Sequence, residues 1–223
     1  MISTSLRSSS KSAHVLWTGR LDGDLGIAAG PGLDERRGAV HAGPWAWLRQ
    51  VHGAVVAEVD TPGGVQGTPG DALVTTAPGV ALAVFTADCA PVALASPEGV
   101  VGLVHAGWRG LEAGVIDAAV GAMRRLGATQ VVAALGPCIR PACYDFGAED
   151  LDRLASLLGP AVRARTAAGH PAFDLPAAVA SALARCGGEL VADHGGCTAC
   201  SDEWFSHRAR GDVGRQATVV VAA

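Results

Sequence analysis

Cys89 and His105 stand near the two ends of residues 86–110, TADCAPVALASPEGVVGLVHAGWRG, and His52 lies upstream in Arg49-Gln50-Val51-His52-Gly53. Two imidazoles and one thiol match the ligand count of a catalytic zinc site with one open position. The same groups could instead supply a cysteine nucleophile and its histidine base. Taken singly, each has a plainer reading: a buried thiol at Cys89 and histidines packed under turns at His52 and His105. Their common position at the ends of successive short strands is what points to a shared site. Asp71 and Asp88 flank the same segments and are candidate proton donors. Trp108, beside His105, is a candidate pocket wall.

Those residues need elements to hold them. Short apolar runs at 55–59, 72–75, 80–85, 91–95 and 100–105 are separated by Gly and Pro turns, the pattern of strands. Ser96-Pro97-Glu98-Gly99 turns one strand back on the next, which brings Cys89 and His105 to the same end of a hairpin. After Gly110, Leu111, Val115, Ile116, Ala119, Met123 and Leu126 recur at helical spacing, with Gly127 suited to the C-terminal cap. Residues 131–135 return to strand. Helices follow at 149–158 and 175–186, the second with Asp174 as N-cap, and a strand at 217–222 closes the chain. Strands outnumber helices without regular βαβ alternation. The expectation is an α+β fold, a single-domain layered sandwich of mixed β-sheets flanked by helices. Residues 1–13 read as a flexible N-terminal segment and 14–223 as one catalytic domain.

Composition narrows the function. The chain has 223 residues, 49% hydrophobic and 17% charged, with a net charge of −4. A sizeable core is feasible, and no apolar run approaches the ~20 residues that span a bilayer. Arginines are scattered without a basic stripe, which disfavours nucleic acid. Lys11 is the sole lysine, so a P-loop, a Schiff-base or a pyridoxal-phosphate enzyme is disfavoured. The Ser-rich start lacks the apolar segment of a secretory signal, and a cytoplasmic protein without a membrane partner is the expectation. Six cysteines in such a chain suggest thiols rather than a disulfide framework. Cys138 with Cys143 and Cys197 with Cys200 have spacings that a structural zinc site could use; buried small hydrophobes are the plainer reading.

At these residues the sequence resembles the purine nucleoside phosphorylase family once described as multicopper polyphenol oxidases or laccase-domain proteins, also known as the peptidoglycan editing factor family. The matching motifs are Gln50-Val51-His52-Gly53, Gly70-Asp71-Ala72-Leu73-Val74-Thr75, Thr86-Ala87-Asp88-Cys89-Ala90-Pro91-Val92, His105-Ala106-Gly107-Trp108-Arg109-Gly110, Gly136-Pro137-Cys138-Ile139, Cys197-Thr198-Ala199-Cys200 and Gly214-Arg215-Gln216. They run in family order from about Trp47 to the C-terminus. The resemblance implies that His52, Cys89 and His105 form the active-site triad and bind zinc. It also implies phosphorolysis of adenosine, inosine, guanosine and methylthioadenosine, and deamination of adenosine. A copper phenol oxidase would need more soft and imidazole ligands than this cluster offers.

Deamination asks for hydroxide near neutral pH, which zinc provides by lowering the pKa of water toward ~7. Phosphorolysis asks for a cationic cradle, for which Arg49, Arg109, Arg208 and Arg215 are the candidates. The sequence departs from the family where Asp24-Leu25-Gly26 and Glu35-Arg36 stand in place of Asn-Leu-Gly and Asn-Arg. It departs again where Ser206-His207-Arg208-Ala209 replaces Ser-Tyr-Arg-Arg. An aspartate at position 24 would repel phosphate. Two other readings stay open: a cysteine- or metal-dependent hydrolase that edits serine from a peptidoglycan precursor, and a non-catalytic metal-binding protein.

Overall fold

A computed structural model describes residues 1–8 and 11–222 of the chain. The α+β sandwich expected from the sequence is what it shows. One sheet has the spatial order β1 (Ile2–Ser8), β2 (Lys11–Trp17), β13 (Gln216–Ala222), β6 (Ala81–Thr86) and β3 (Trp45–Trp47). The other runs β12 (Gly188–Asp193), β9 (Val131–Leu135), β7 (Ala90–Ala95), β8 (Val101–Ala106), β5 (Ala72–Thr75) and β4 (Val56–Glu58). Both are mixed: β3 lies parallel to β6, β4 to β5 and β12 to β9, while the remaining pairs are antiparallel. A small ribbon of β10 (Arg163–Arg165) and β11 (Pro171–Phe173) stands apart from them.

Burial explains why the central strands read as unbroken apolar runs. β5, β6, β7 and β8 are buried at every position, because each lies covered on both faces. Leu73, Ala93, Leu103 and Ala134 of one sheet pack against Val15, Trp17, Leu82 and Val84 of the other. The alternate face, with Val74, Val92, Leu94 and Val104, packs under the helices through Ile116, Val120, Met123 and Val179. Each such side chain, fully buried, contributes ~2 kcal/mol. Within the segment 1–13, for which the sequence suggested flexibility, residues 2–8 form β1 and residues 11–13 begin β2, and Leu6 and Ala13 are buried between the sheets.

The helices differ from expectation in one instructive place. The apolar period after Gly110 predicted one helix, and the chain forms two, α2 (Trp108–Glu112) and α3 (Val115–Arg125). Gly114 interrupts them in the left-handed region at φ 82°, where a side chain would be strained. The later helices are α4 (Ala148–Leu158) and α5 (Leu175–Arg185), within a residue of the expected ends. Two short helices complete the set, α1 (Leu33–Val40) and α6 (His207–Arg210). At the start of α5 the Asp174 carboxylate accepts a hydrogen bond from the Ala177 amide at 2.9 Å, as a capping side chain does. Replacing it removes that acceptor without touching the core. Asp174→Ala is expected to lower unfolding stability by about 1 kcal/mol in urea titrations, with Asp174→Asn recovering most of the loss.

Candidate active site

The hairpin delivers its two residues as the sequence implied. β7 and β8 pair with Pro91 opposite His105, so Cys89, just before β7, lies beside the end of β8. His52 arrives on the loop between β3 and β4. Gln50 clamps that loop to the first sheet: its amide accepts from the Phe85 amide and donates to the Phe85 carbonyl, both at 2.8 Å. The result is one cluster in which ligand atoms of His52, Cys89 and His105 all lie within 4.8 Å of one another. The Cys89 sulfur is 3.8 Å from His52 Nε2.

Asp71 sets the orientation of two of the three. Its carboxylate accepts from His105 Nδ1 at 2.8 Å and from the backbone amides of His52 at 2.9 Å and Gly53 at 2.7 Å. His52 itself sits at φ 58°, a conformation unusual for a side chain this large, and this row of amide bonds holds it there. Asp88 plays a parallel part on the other ligand loop at φ 103°. It accepts from the Thr198 and Ser206 hydroxyls and from the Arg208 amide, each at 2.7 Å. Both carboxylates are therefore engaged as acceptors within the protein. The structure thus places the two expected proton donors as acceptors of hydrogen bonds from neighbouring loops.

Electrostatics follow from the same contacts. Burial disfavours ionised Asp71, but the hydrogen bonds from His105 and the loop amides outweigh it and hold the carboxyl below its usual range. Burial also opposes a thiolate at Cys89, yet the facing His105 and His52 bring that thiol down to about 6. His105 is raised to about 9, because the attraction of Cys89 and the bond to Asp71 exceed the penalty of burial. The two shifts run in opposite directions and favour a thiolate facing an imidazolium, whose proton a metal ion would displace.

The donor set fits a metal. Usual zinc bond lengths in a tetrahedral arrangement separate nitrogen and sulfur ligands by about 3.6 Å. His105 keeps Nδ1 on a carboxylate, the arrangement that orients metal-ligating histidines and leaves Nε2 free to coordinate. Gly107 has a steric reason to be glycine: a Cβ there would lie 2.9 Å from His52 Cδ2 and 3.0 Å from the Cys89 sulfur.

A cavity of about 640 Å³ opens over this cluster. All five side chains proposed from sequence to bind substrate line it: Arg49, Trp108, Arg109, Arg208 and Arg215. Their availability differs. No side-chain partner holds the Arg49 guanidinium among the described residues, and Arg109 stacks 4.2 Å over Trp108. Arg208 donates to the Asp145 carbonyl at 2.7 Å and covers the Tyr144 ring at 4.8 Å. Arg215 Nη1 is taken up by the carbonyls of Asp212, Val213 and Gly214, so this residue holds its own loop. Asp24 also faces the cavity, with Oδ1 accepting from the amides of Gly26 and Arg215. Arg36 lies behind, donating to the carbonyls of Asp24, Ala29 and Pro31.

Sequence reading missed Tyr144, Thr86 and Phe85 in this lining. Tyr144 is the sole tyrosine of the chain, and that scarcity was the one available signal. The Thr86 hydroxyl is buried and has no hydrogen-bond partner among the described residues, which leaves it available to a ligand.

A family model described as multi-copper polyphenol oxidoreductase laccase matches residues 33–223. The chain belongs to that family. It is 45% identical over 178 residues to a purine nucleoside phosphorylase of Streptomyces coelicolor, covering 78% of this chain and 73% of the relative. A purine nucleoside phosphorylase of Streptomyces griseus is 40% identical over 234 residues, 94% of each chain. Crystal structures agree in fold. A Neisseria meningitidis protein superposes with a TM-score of 0.81 at 28% identity, covering 99% of this chain and 98% of the other. YlmD of Geobacillus stearothermophilus gives 0.79 at 29%, with 96% and 92% covered. Among the described residues, His52, Cys89 and His105 form the one metal-competent group that contains imidazoles. A multicopper centre needs more such ligands than this, so the residues present do not fit that part of the family's description.

The cysteines correct one expectation. Cys143 and Cys200 are joined in a disulfide, while Cys89, Cys138, Cys186 and Cys197 are free. Cys138 is fully buried, which pushes its thiol far above the usual range.

Two substitutions test how the cluster is held. Asp71→Asn is expected to weaken zinc binding about 10- to 100-fold in competition with a chelating dye, as loss of a carboxylate partner does elsewhere. Gly107→Ala should also weaken it, by pushing His52 and Cys89 apart. Wild-type zinc affinity in both variants would show that neither contact positions the ligands.

Proposed function

We propose that this chain is a zinc-dependent purine nucleoside phosphorylase that also deaminates adenosine. The observation that carries the reading is the convergence of the His52–Cys89–His105 cluster and unpaired arginines on one aromatic-walled cavity. The relatives named purine nucleoside phosphorylase support the phosphorolysis part of this reading. Zinc held by the two imidazoles and the thiolate would supply a Lewis acid and, for deamination, hydroxide near neutral pH.

The remaining roles belong to the chain. Arg49 and Arg109, whose guanidinia have no carboxylate partner among the described residues, attract and orient phosphate near the ribose. Asp24 faces the same cavity, but its Oδ1 is occupied by two amides, which lessens its repulsion of an anion. Phe85, Trp108 and Tyr144 offer aromatic surface to the purine, and the Thr86 hydroxyl offers a buried hydrogen bond. Asp71 keeps the His105 tautomer fixed, and Asp88 keeps the Arg208 segment against the ligand loop. Asp71 and Asp88 are thus positioning residues rather than proton donors.

A second reading rests on a specific observation. Cys89, His105 and Asp71 also form the chain of nucleophile, base and orienting carboxylate used in acyl transfer. A cysteine hydrolase acting on a peptidoglycan precursor would use it without metal. Incubating zinc-loaded protein with adenosine distinguishes the two. Adenine is expected only with phosphate and inosine without it, and both should disappear on chelation and in Cys89→Ala. Arg49→Ala should raise the KM for phosphate about tenfold, a loss near 1.4 kcal/mol of binding, while leaving inosine formation intact. Neither product at zinc saturation would refute the phosphorylase reading. A trapped thioester in metal-stripped protein would establish the alternative.

A further inference from the structure

A second sulfur cluster lies outside the metal-competent site. The sulfurs of Cys143, Cys197 and Cys200 all lie within 4.8 Å of one another, with Cys143 and Cys200 bonded and Cys197 free. None of the three is buried. Residues 198–200 form a turn between Cys197 and Cys200, and the sulfurs of these two lie within 4.8 Å of each other. The free thiol is thus in reach of an existing bond, and an alternative bond is geometrically open to it.

The position of the present bond gives this exchange a consequence. Cys143 immediately precedes Tyr144, a wall of the substrate cavity whose ring lies under Arg208. Cys200 belongs to the segment that Thr198 fastens to Asp88, and Arg210 donates to the Thr198 and Ala199 carbonyls beside it. The Cys143–Cys200 bond therefore joins the two chain segments that carry Tyr144 and Arg208. A Cys197–Cys200 bond would close only a local loop and leave those segments to noncovalent contacts.

We propose that Cys143, Cys197 and Cys200 form a thiol–disulfide exchange site that governs how firmly the Tyr144–Arg208 wall is tied. Cys197 loses its proton to water, and its thiolate attacks the Cys200 sulfur. The Cys197–Cys200 bond forms, the Cys143–Cys200 bond breaks, and Cys143 departs as a thiolate that takes up a proton. One disulfide is present before and after, so the step needs no external oxidant or reductant. A cellular dithiol would open either form completely. The coupling to substrate rests on the phosphorylase reading above; the exchange itself does not.

Native protein is equilibrated in glutathione buffers of graded poise, alkylated with iodoacetamide, and mapped by mass spectrometry without reduction. Wild type is expected to show an alkylated Cys143 together with an internal Cys197–Cys200 link, beside the Cys143–Cys200 species. Cys197→Ser should show Cys143 blocked wherever a disulfide exists. Wild type in which Cys143 stays blocked at every oxidising poise would overturn the exchange. So would protection of all three reduced thiols by added zinc with no disulfide formed at any poise, the outcome of a structural metal site. For the coupling, the nucleoside KM of Cys143→Ser should exceed that of Cys197→Ser several-fold with kcat little changed, and equal KM values would overturn it. Absence of turnover in both variants and wild type counts against the phosphorylase reading, while the alkylation pattern still decides the exchange.

Discussion

An ionised carboxylate removed from water is costly unless every lone pair finds a donor, and Asp71 is completely buried. It finds its donors in two places that the chain must therefore bring together. One is the run of amides at 51–53, which forces the His52 loop to curl around the carboxylate. The other is His105 Nδ1 at the end of β8. Asp71 itself immediately precedes β5, next to β8, and its carbonyl accepts from the His105 amide at 2.8 Å. A single desolvated charge thus couples sheet register to the placement of two imidazoles. Were the register of β5 against β8 to slip by one residue, the carboxylate would lose His105 and His52 would lose its turn.

Asp88 repeats the device on the opposite side. Its carboxylate gathers Thr198, Ser206 and the Arg208 amide, three groups more than a hundred residues away in sequence, onto the residue preceding Cys89. Thr198 and Ser206 are themselves buried, so these bonds are protected from competition by water. Cys89 and the C-terminal wall of the cavity are thereby tied together through Asp88. Arg20 extends the same network outward, pairing with Asp212 at 2.6 Å, while Asp212 accepts from the Ser206 amide. The arrangement places the metal-competent sulfur between the sheet and the segment that supplies His207 and Arg208 to the cavity wall.

What the sequence disclosed follows from how local the information was. Strands β5 to β8 were legible because two-sided burial makes them continuous apolar runs, and the Ser96–Gly99 turn fixes the pairing of β7 with β8. The triad was legible because its members sit at strand ends with distinctive chemistry, and the family motifs reinforced them. β1, β3 and β12 were not, since short or edge strands with polar positions carry little periodicity. The roles of Asp71 and Asp88 were also hidden. Their residue type suggests acid chemistry, whereas their partners, which only the fold assembles, make them acceptors. The Cys143–Cys200 bond escaped for the same reason, because a separation of 57 residues leaves no local trace.

The division of labour between the two aspartates bears on how the cavity wall could change without disturbing the His52–Cys89–His105 cluster. The contacts that orient His52 and His105 come from Asp71, immediately before β5, and from the Gln50–Phe85 clamp, and none of these residues belongs to the N-terminal 24–36 or C-terminal 206–215 segments. Those segments meet the cavity through Asp24, Arg208 and Arg215, and Arg36 and Arg215 serve largely to hold backbone carbonyls in place. Substitutions there, such as Asp24 and His207 in place of the family's usual residues, alter charge and surface at the cavity mouth while the ligand geometry is left to the sheet. Cys89 is the exception, because Asp88 ties its loop directly to Arg208. A change of the cavity wall at residues 206–208 is therefore constrained to preserve the Asp88 contacts, while the N-terminal wall is tied through Asp24 to the Arg215 amide and not to the ligand loop.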